Sequence, residues 1–345
     1  MAREKEKILI TGGLGFIGSN LAKRLSKRYQ IVIVDYDHST EAEETALDLQ
    51  RIGAKVIRKD ISVQQTWTGV PSCQYIFHAA AQVAAEVSWE KPSNDLKTNV
   101  NGTFWVAEYG RKHNAKIIYC NTIRIYDPEA IEKAMQKNGN VSEECPTIEI
   151  SNKPQPPFAL SKYMGEQYLH FYSRMYGLKV ISNRMSSIVG AGQTGSKTHG
   201  WLANIIRCAV QKKEYTIFGD GNQTRDVLHI NDFIRIIENE LAYFNKYSEN
   251  GFMVYNMGGG NSNELSINQA IKIAEKELSI QMKIKKGPPR IGEPVKYCSD
   301  FTRLKRIGLP FDKPRSLKDI IADLIYYYNN GEGERDGRRK KPRRD

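Results

Sequence analysis

The sequence predicts an α/β protein: a doubly wound parallel sheet with a smaller C-terminal α/β lobe. Short apolar, β-branched runs alternate with amphipathic stretches through the first half of the chain. A glycine triplet sits at the first strand-to-helix junction, and the alternation fades after about Gly190, where loops rich in Gly, Asn and Pro begin.

In chain order, "KILIT", "QIVIVD", "AKVIRKD", "YIFHAA", "AKIIYCN" and "KVISNR" read as buried strands. "SNLAKRLSKR" and "NVNGTFWVAEYGRKH" read as helices between them, and a further helix runs from Phe158 to Tyr176. Beyond Gly190, "NGFMVYNMGGGNSNELSINQAIKIAEKELS" reads as a strand followed by a Ser-led helix. This places a dinucleotide-binding domain at 1–185 and a mainly substrate-binding lobe at 186–330 with some return to the first sheet. Residues 331–345 form a basic tail, expected to be disordered because it has nothing apolar to bury.

The 345 residues carry a formal charge of +12, part of it in "GERDGRRKKPRRD". No aromatic residues interleave those charges as a nucleic-acid stacking platform requires, so a solvated end is favoured over a nucleic-acid partner. Five cysteines, odd in number and without a C-x-x-C pair, suggest neither a disulfide framework nor a metal site. No apolar run approaches the ~18 residues of a membrane span, and the first strand begins too early to leave room for a signal peptide. A cytoplasmic protein is expected.

In "TGGLGFIGSNLAKRL", Gly12 permits a tight turn, Gly15 lets the backbone approach a pyrophosphate, and Gly18 allows the helix to pack on the strand. Asp35 closes the second strand at the spacing of a ribose-binding acid. Its carboxylate accepts ribose hydroxyls and repels a 2′-phosphate, and no Lys or Arg occurs from Tyr36 through Gln50. NAD is therefore favoured over NADP.

"TGGLGFIG", "HAAAQVA", "TNVNGT", "IIYCNTIRIYD" and "FALSK", extended by "GDGNQTRDVLHINDF" and "GPPRIGEP", resemble the extended short-chain dehydrogenase/reductase superfamily, in its NAD-dependent nucleotide-sugar epimerase and dehydratase branch. "NRMSSIVGAGQTGSKTHGW" is similar to the CDP-paratose 2-epimerases. The resemblance implies a Rossmann fold in which Gly12, Gly15, Phe16, Ile17 and Gly18 hold the pyrophosphate and Asp60 and Ile61 flank the adenine. It implies that Ala79, Ala80, Ala81 and Asn99 line the nicotinamide half. Gln82, Thr122, Ser187, Arg225 and Arg290 are implied for a CDP-, UDP- or GDP-linked sugar, the two arginines on the diphosphate. It also implies a homodimer paired through two long helices. The second carries Leu160, Met164, Tyr168, Leu169, Phe171, Tyr172 and Met175, a broader stripe than one sheet face needs.

An epimerase of this branch takes a hydride from a sugar carbon to NAD and returns it to the other face. A tyrosinate supported by a lysine receives the hydroxyl proton. Lys162 and Thr122 occupy the supporting positions, but Phe158 stands at the tyrosine position, and no other tyrosine has a lysine four residues later. Three readings follow: a Tyr-to-Phe change that traps a bound complex, a natural variant using another base (His199, Glu86 or Cys145), or a pseudoenzyme that binds NAD and a nucleotide sugar. Ile123 and Arg124 replace the dehydratase Asp-Glu pair, which argues against dehydration.

Overall fold

In the computed structural model, residues 5–151, 153–196, 199–246, 251–306 and 314–330 are described, and the basic tail expected at 331–345 lies outside them. The first half runs β1 (Lys7–Thr11), α1 (Phe16–Leu25), β2 (Gln30–Asp35), α2 (Thr40–Arg51), β3 (Lys55–Arg58), β4 (Tyr75–His78), α3 (Ala85–Glu90), α4 (Pro92–Asp95), α5 (Gly102–His113), β5 (Lys116–Thr122), α6 (Pro128–Asn138), α7 (Pro157–Tyr176) and β6 (Val180–Met185). The remainder runs β7 (Ser187–Val189), α8 (Trp201–Val210), β8 (Tyr215–Phe218), β9 (Thr224–His229), α9 (Ile230–Lys246), β10 (Phe252–Met257), β11 (Glu264–Ser266), α10 (Ile267–Leu278), β12 (Ile284–Gly287), β13 (Lys296–Tyr297), α11 (Thr302–Arg306) and α12 (Leu317–Asn329).

The main sheet is parallel throughout and ordered β10-β6-β5-β4-β1-β2-β3. Because side chains alternate across a strand, each β-branched run feeds two cores at once. Ile8, Ile10, Ile31, Ile33, Phe77, Ile118 and Ile181 pack on one face, with Leu21 of α1 and Phe233, Ile237 and Leu241 of α9. Leu9, Val32, Val34, Ile76, Ile117, Tyr119 and Val180 pack on the other, with Val106 of α5 and Leu169 and Tyr172 of α7. The strand order reverses between β1 and β4, the switch point where such sheets open a crevice at their carboxyl ends.

After β6 the chain builds a second lobe. There β9 pairs with β7 and β13 in parallel and with β11 antiparallel, while β8 pairs with β12. A separate core of Leu202, Ile205, Ile206, Ile271, Ile320 and Leu324 joins α8, α10 and α12. The Ser-led helix is α10, where Ser266 and Gln269 cap each other reciprocally. Between these pieces, α9 and β10 rejoin the main sheet.

One element departs from ideal geometry near the sheet's carboxyl edge. A π-helical turn over Leu96–Asn101 joins α4 to α5 and carries Asn99. On α7, Leu169 and Tyr172 turn inward, while Leu160, Tyr168, Phe171 and Met175 remain exposed on the other side. Among the described residues no helix is long and apolar enough to cross a membrane.

Candidate active site

The turn after β1 is built so closely that only glycine fits. Gly12 has φ +69°, and a Cβ there would lie 2.6 Å from the Ala80 backbone nitrogen at the end of β4. A Cβ on Gly18 would lie 2.3 Å from the Gly12 carbonyl oxygen, so α1 sits directly on the turn. Gly15 differs: a Cβ would meet only the Gly12 oxygen, at 3.5 Å, so its face is open. Gly15 is the N-cap of α1, whose first turn has no acidic residue and no side-chain cap. An open glycine at an uncapped ten-residue helix start is a cradle that fits a dinucleotide's pyrophosphate.

Asp35, at the tip of β2, accepts the Leu14 N–H at 2.9 Å and the Asp37 N–H at 3.0 Å, which holds the turn and leaves lone pairs for hydroxyl donors. Asp60 accepts Lys97 Nζ at 2.8 Å and both the N–H and hydroxyl of Ser62. Burial opposes its charge, but these donors hold its carboxyl below the usual range. Ile61 is buried against Gly102, and the half-buried Ala79, Ala80 and Ala81 continue β4 past the switch point, Ala79 and Ala80 donating N–H groups to Thr11.

A buried polar network holds the start of α7. Asn99 Nδ2 donates to the Gln82 carbonyl at 3.1 Å and to Ser161 Oγ at 2.9 Å, and Asn99 Oδ1 accepts the Gln82 N–H at 2.8 Å. The Phe158 N–H donates to Ser88 Oγ at 2.5 Å. Lys162 is buried, with Nζ donating to the Cys120 carbonyl at 2.6 Å and lying 4.1 Å from the Tyr119 ring centre. Burial pulls its pKa down to about 8.

Between the lobes lies a cavity of about 300 Å³ lined by Phe16, Ile17, Thr122, Phe158, Ser187, Arg225 and Arg290 among others. Thr122 Oγ1 accepts the Arg124 N–H at 3.3 Å, and Ser187 Oγ accepts the Trp201 indole N–H at 2.9 Å. Arg290 stacks over Phe218 at 4.5 Å. Glu293 receives Arg124 and Arg225 on the same oxygen, each at 3.3 Å. Burial raises the Glu293 pKa, but Arg124, Arg225 and Arg290 together hold it below the usual range. Three guanidinium groups against one carboxylate leave the described part of the cavity cationic, suited to a diphosphate. Ser186, Gln193 and Gln223 also line it, and their Oγ, Oε1 and Oε1 atoms are buried without a partner among the described residues.

Some expected residues sit elsewhere. The Gln82 side chain bonds Asp95 and the Ala84 backbone, not the cavity, because buried Asp95 draws its amide inward. Cys145 is buried in a separate cluster with Ile123 and Tyr126, and burial pushes its thiol up to about 11. His199 lines the cavity and meets Ser196 at 2.9 Å, while the Glu86 side chain lies outside the described residues. Sequence reasoning missed the acid Glu293 inside "GPPRIGEP", the cavity role of Arg124, and the Ser88 cap. A lone acid within a matched motif was the available signal for Glu293; Ser88 offered none.

A profile of the NAD dependent epimerase/dehydratase family matches residues 8–258. The chain is 30% identical to the CDP-paratose 2-epimerase of Salmonella typhi over 342 residues, covering 92% of this chain and 98% of that one. Among solved structures, the UDP-glucuronic acid 4-epimerase of Bacillus cereus in complex with UDP-glucuronic acid and NAD superposes with TM-score 0.80 at 26% identity, covering 94% of this chain and 99% of the other. A tyrosine-to-phenylalanine mutant of that enzyme, in complex with a fluorinated UDP-glucuronic acid and NAD, superposes equally at 0.80. With the profile spanning the whole parallel sheet and the glycine cradle fitting its dinucleotide, the chain belongs to the NAD dependent epimerase/dehydratase family, and its cofactor is NAD.

Proposed function

We infer that the protein is a nucleotide-sugar epimerase whose proton-transfer position is filled by Phe158. The observation that carries the reading is one cavity, beside the glycine cradle, that brings Thr122 and Phe158 together with Arg225 and Arg290. The likeness to the Salmonella typhi enzyme supports a CDP-linked sugar as the first substrate to test.

When bound, NAD supplies a nicotinamide that takes hydrogen from a sugar carbon and gives it back. The chain's own residues do the rest. Arg225 and Arg290 grip the diphosphate, which leaves the sugar facing Thr122. Since the Thr122 oxygen already accepts the Arg124 N–H, its own proton is available to bond a sugar oxygen. Lys162, anchored on the Cys120 carbonyl, lies one helical turn after Phe158 on α7. That ring is buried to 8% exposure and fills the volume of a tyrosine, yet it cannot receive the sugar's proton.

A second reading, a binding protein without turnover, is favoured by Phe158 itself. The Bacillus cereus mutant is compatible with both, since its complex holds a nucleotide sugar and NAD together. Phe158→Tyr separates them. As an epimerase, the variant interconverts epimers of CDP-, UDP- or GDP-hexoses ~10²- to 10⁴-fold faster than the parent, followed by NMR without added reductant. No gain on any of them leaves the binding protein.

The exposed Leu160, Tyr168, Phe171 and Met175 on α7 support a homodimer through that helix and α5.

A further inference from the structure

Arg58 ends β3 directly opposite Asp35 in the parallel register of β2 and β3. Neighbouring strands lie about 4.8 Å apart and their paired residues project from one face, so an arginine stands beside the ribose-facing acid. No arginine or lysine in the stretch after Asp35 reveals this; the register does.

The Arg58 guanidinium bends over the loop that follows β2. It donates to the Asp37 carbonyl and pairs with Glu43 at 2.6 Å. Asp37 in turn donates its N–H to Asp35 Oδ1 at 3.0 Å. One residue thus separates the guanidinium from the carboxylate that sets the ribose edge. Arg58 is 20% exposed and Glu43 55% exposed, so the pair meets solvent beside the loop that Asp35 closes. His38 Nδ1 also approaches Glu43, at 3.7 Å.

A forked guanidinium at this edge is the group that a 2′-phosphate needs. Glu43 already occupies it, and the Asp35 and Asp37 carboxylates add to the negative charge around it. We propose that Arg58 is a latent binding residue for the 2′-phosphate of an NADP-type dinucleotide, and that cofactor choice rests on two carboxylates: Asp35 facing the ribose, and Glu43 masking Arg58. The proposal rests on the glycine turn being the dinucleotide site.

The test needs no turnover. Purified protein is exchanged into equal concentrations of NAD and NADP, separated from free ligand, and the retained dinucleotides are counted by mass spectrometry. The parent retains NAD almost alone. Glu43→Gln raises the NADP-to-NAD ratio about tenfold, and Glu43→Ala does the same. The double variant Glu43→Gln with Arg58→Gln returns to the parental ratio. An unchanged ratio in both Glu43 variants, or a gain that survives loss of Arg58, overturns the proposal while NAD retention stands. Retention of neither dinucleotide by the parent overturns the dinucleotide reading along with it.

Discussion

Glu240 and Glu166 are both buried against β6, on opposite faces of the sheet, and among the described residues only Glu166 has a cation. Arg184 reaches Glu166 at 2.6 Å, with Asn121 and Ser182 completing its bonds. Glu240 receives a single donor, Asn183 Nδ2 at 2.9 Å, and burial pushes its pKa up to about 8. Asn183 Oδ1 and Glu240 Oε1 have no partner among the described residues, so little offsets the cost of burying a charged carboxylate there. The folded pKa lies above the unfolded value of 4.5, so between 4.5 and about 8 the folded state binds the extra proton and stability falls as pH rises. Glu240→Gln removes that slope. Its melting temperature relative to the parent therefore rises from about pH 5 to about pH 8 and levels off above; a pH-independent difference in scanning fluorimetry would contradict the protonated acid. At this scale, legibility followed sequence proximity. Gly12, Gly15, Gly18 and Asp35 could be read because turn, helix start and strand end are contiguous. Arg58 could not, because it meets Asp35 only through sheet register, and the partners of Glu293 could not, because Arg124 reaches it across the lobes.

Helix α7 begins at Pro157 with no side-chain cap from its own segment. Ser88 of α3 takes that role by accepting the Phe158 N–H, while Ser161 Oγ donates to the Phe158 carbonyl at 2.8 Å. Ser88→Ala leaves a buried N–H unpaired. The expected cost is about 1–2 kcal/mol in urea denaturation. In a Phe158→Tyr background it lowers kcat more than it raises KM, since the ring loses its fixed backbone; equal stability and kinetics would show that the contact is incidental. The six strand runs read from the sequence appear as β1 to β6; β1, β2, β4, β5 and β6 have both faces covered and a continuous apolar signal, while β3 is a half-buried edge strand. The second lobe resisted such reading. Its strands are two to six residues long, and some are half exposed, as in "IKKG" of β12, so no run of apolar residues announces them. The π turn carrying Asn99 had no sequence signal either: it accommodates a tertiary network rather than a local preference.

At the scale of the molecule, the exposed face of α7 asks for a partner. Leu160, Tyr168, Phe171 and Met175 are 51, 41, 50 and 63% exposed, a patch that a monomer rarely leaves in water. In sedimentation velocity the 39.3 kDa chain is expected to migrate at twice its mass, and Phe171→Glu to shift it to one. Unchanged circular dichroism in that variant makes the shift an interface effect, and a monomeric parent rejects the dimer.

The return of α9 and β10 to the main sheet limits how such a protein can change. A fragment ending at residue 185 would leave the outer edge of β6 bare and strip Phe233, Ile237, Leu241 and Phe244 from the sheet's face. A single exchange at that junction would therefore break the main sheet instead of swapping the second lobe intact. The two lobes share one sheet, so neither can be replaced without rebuilding the other's support.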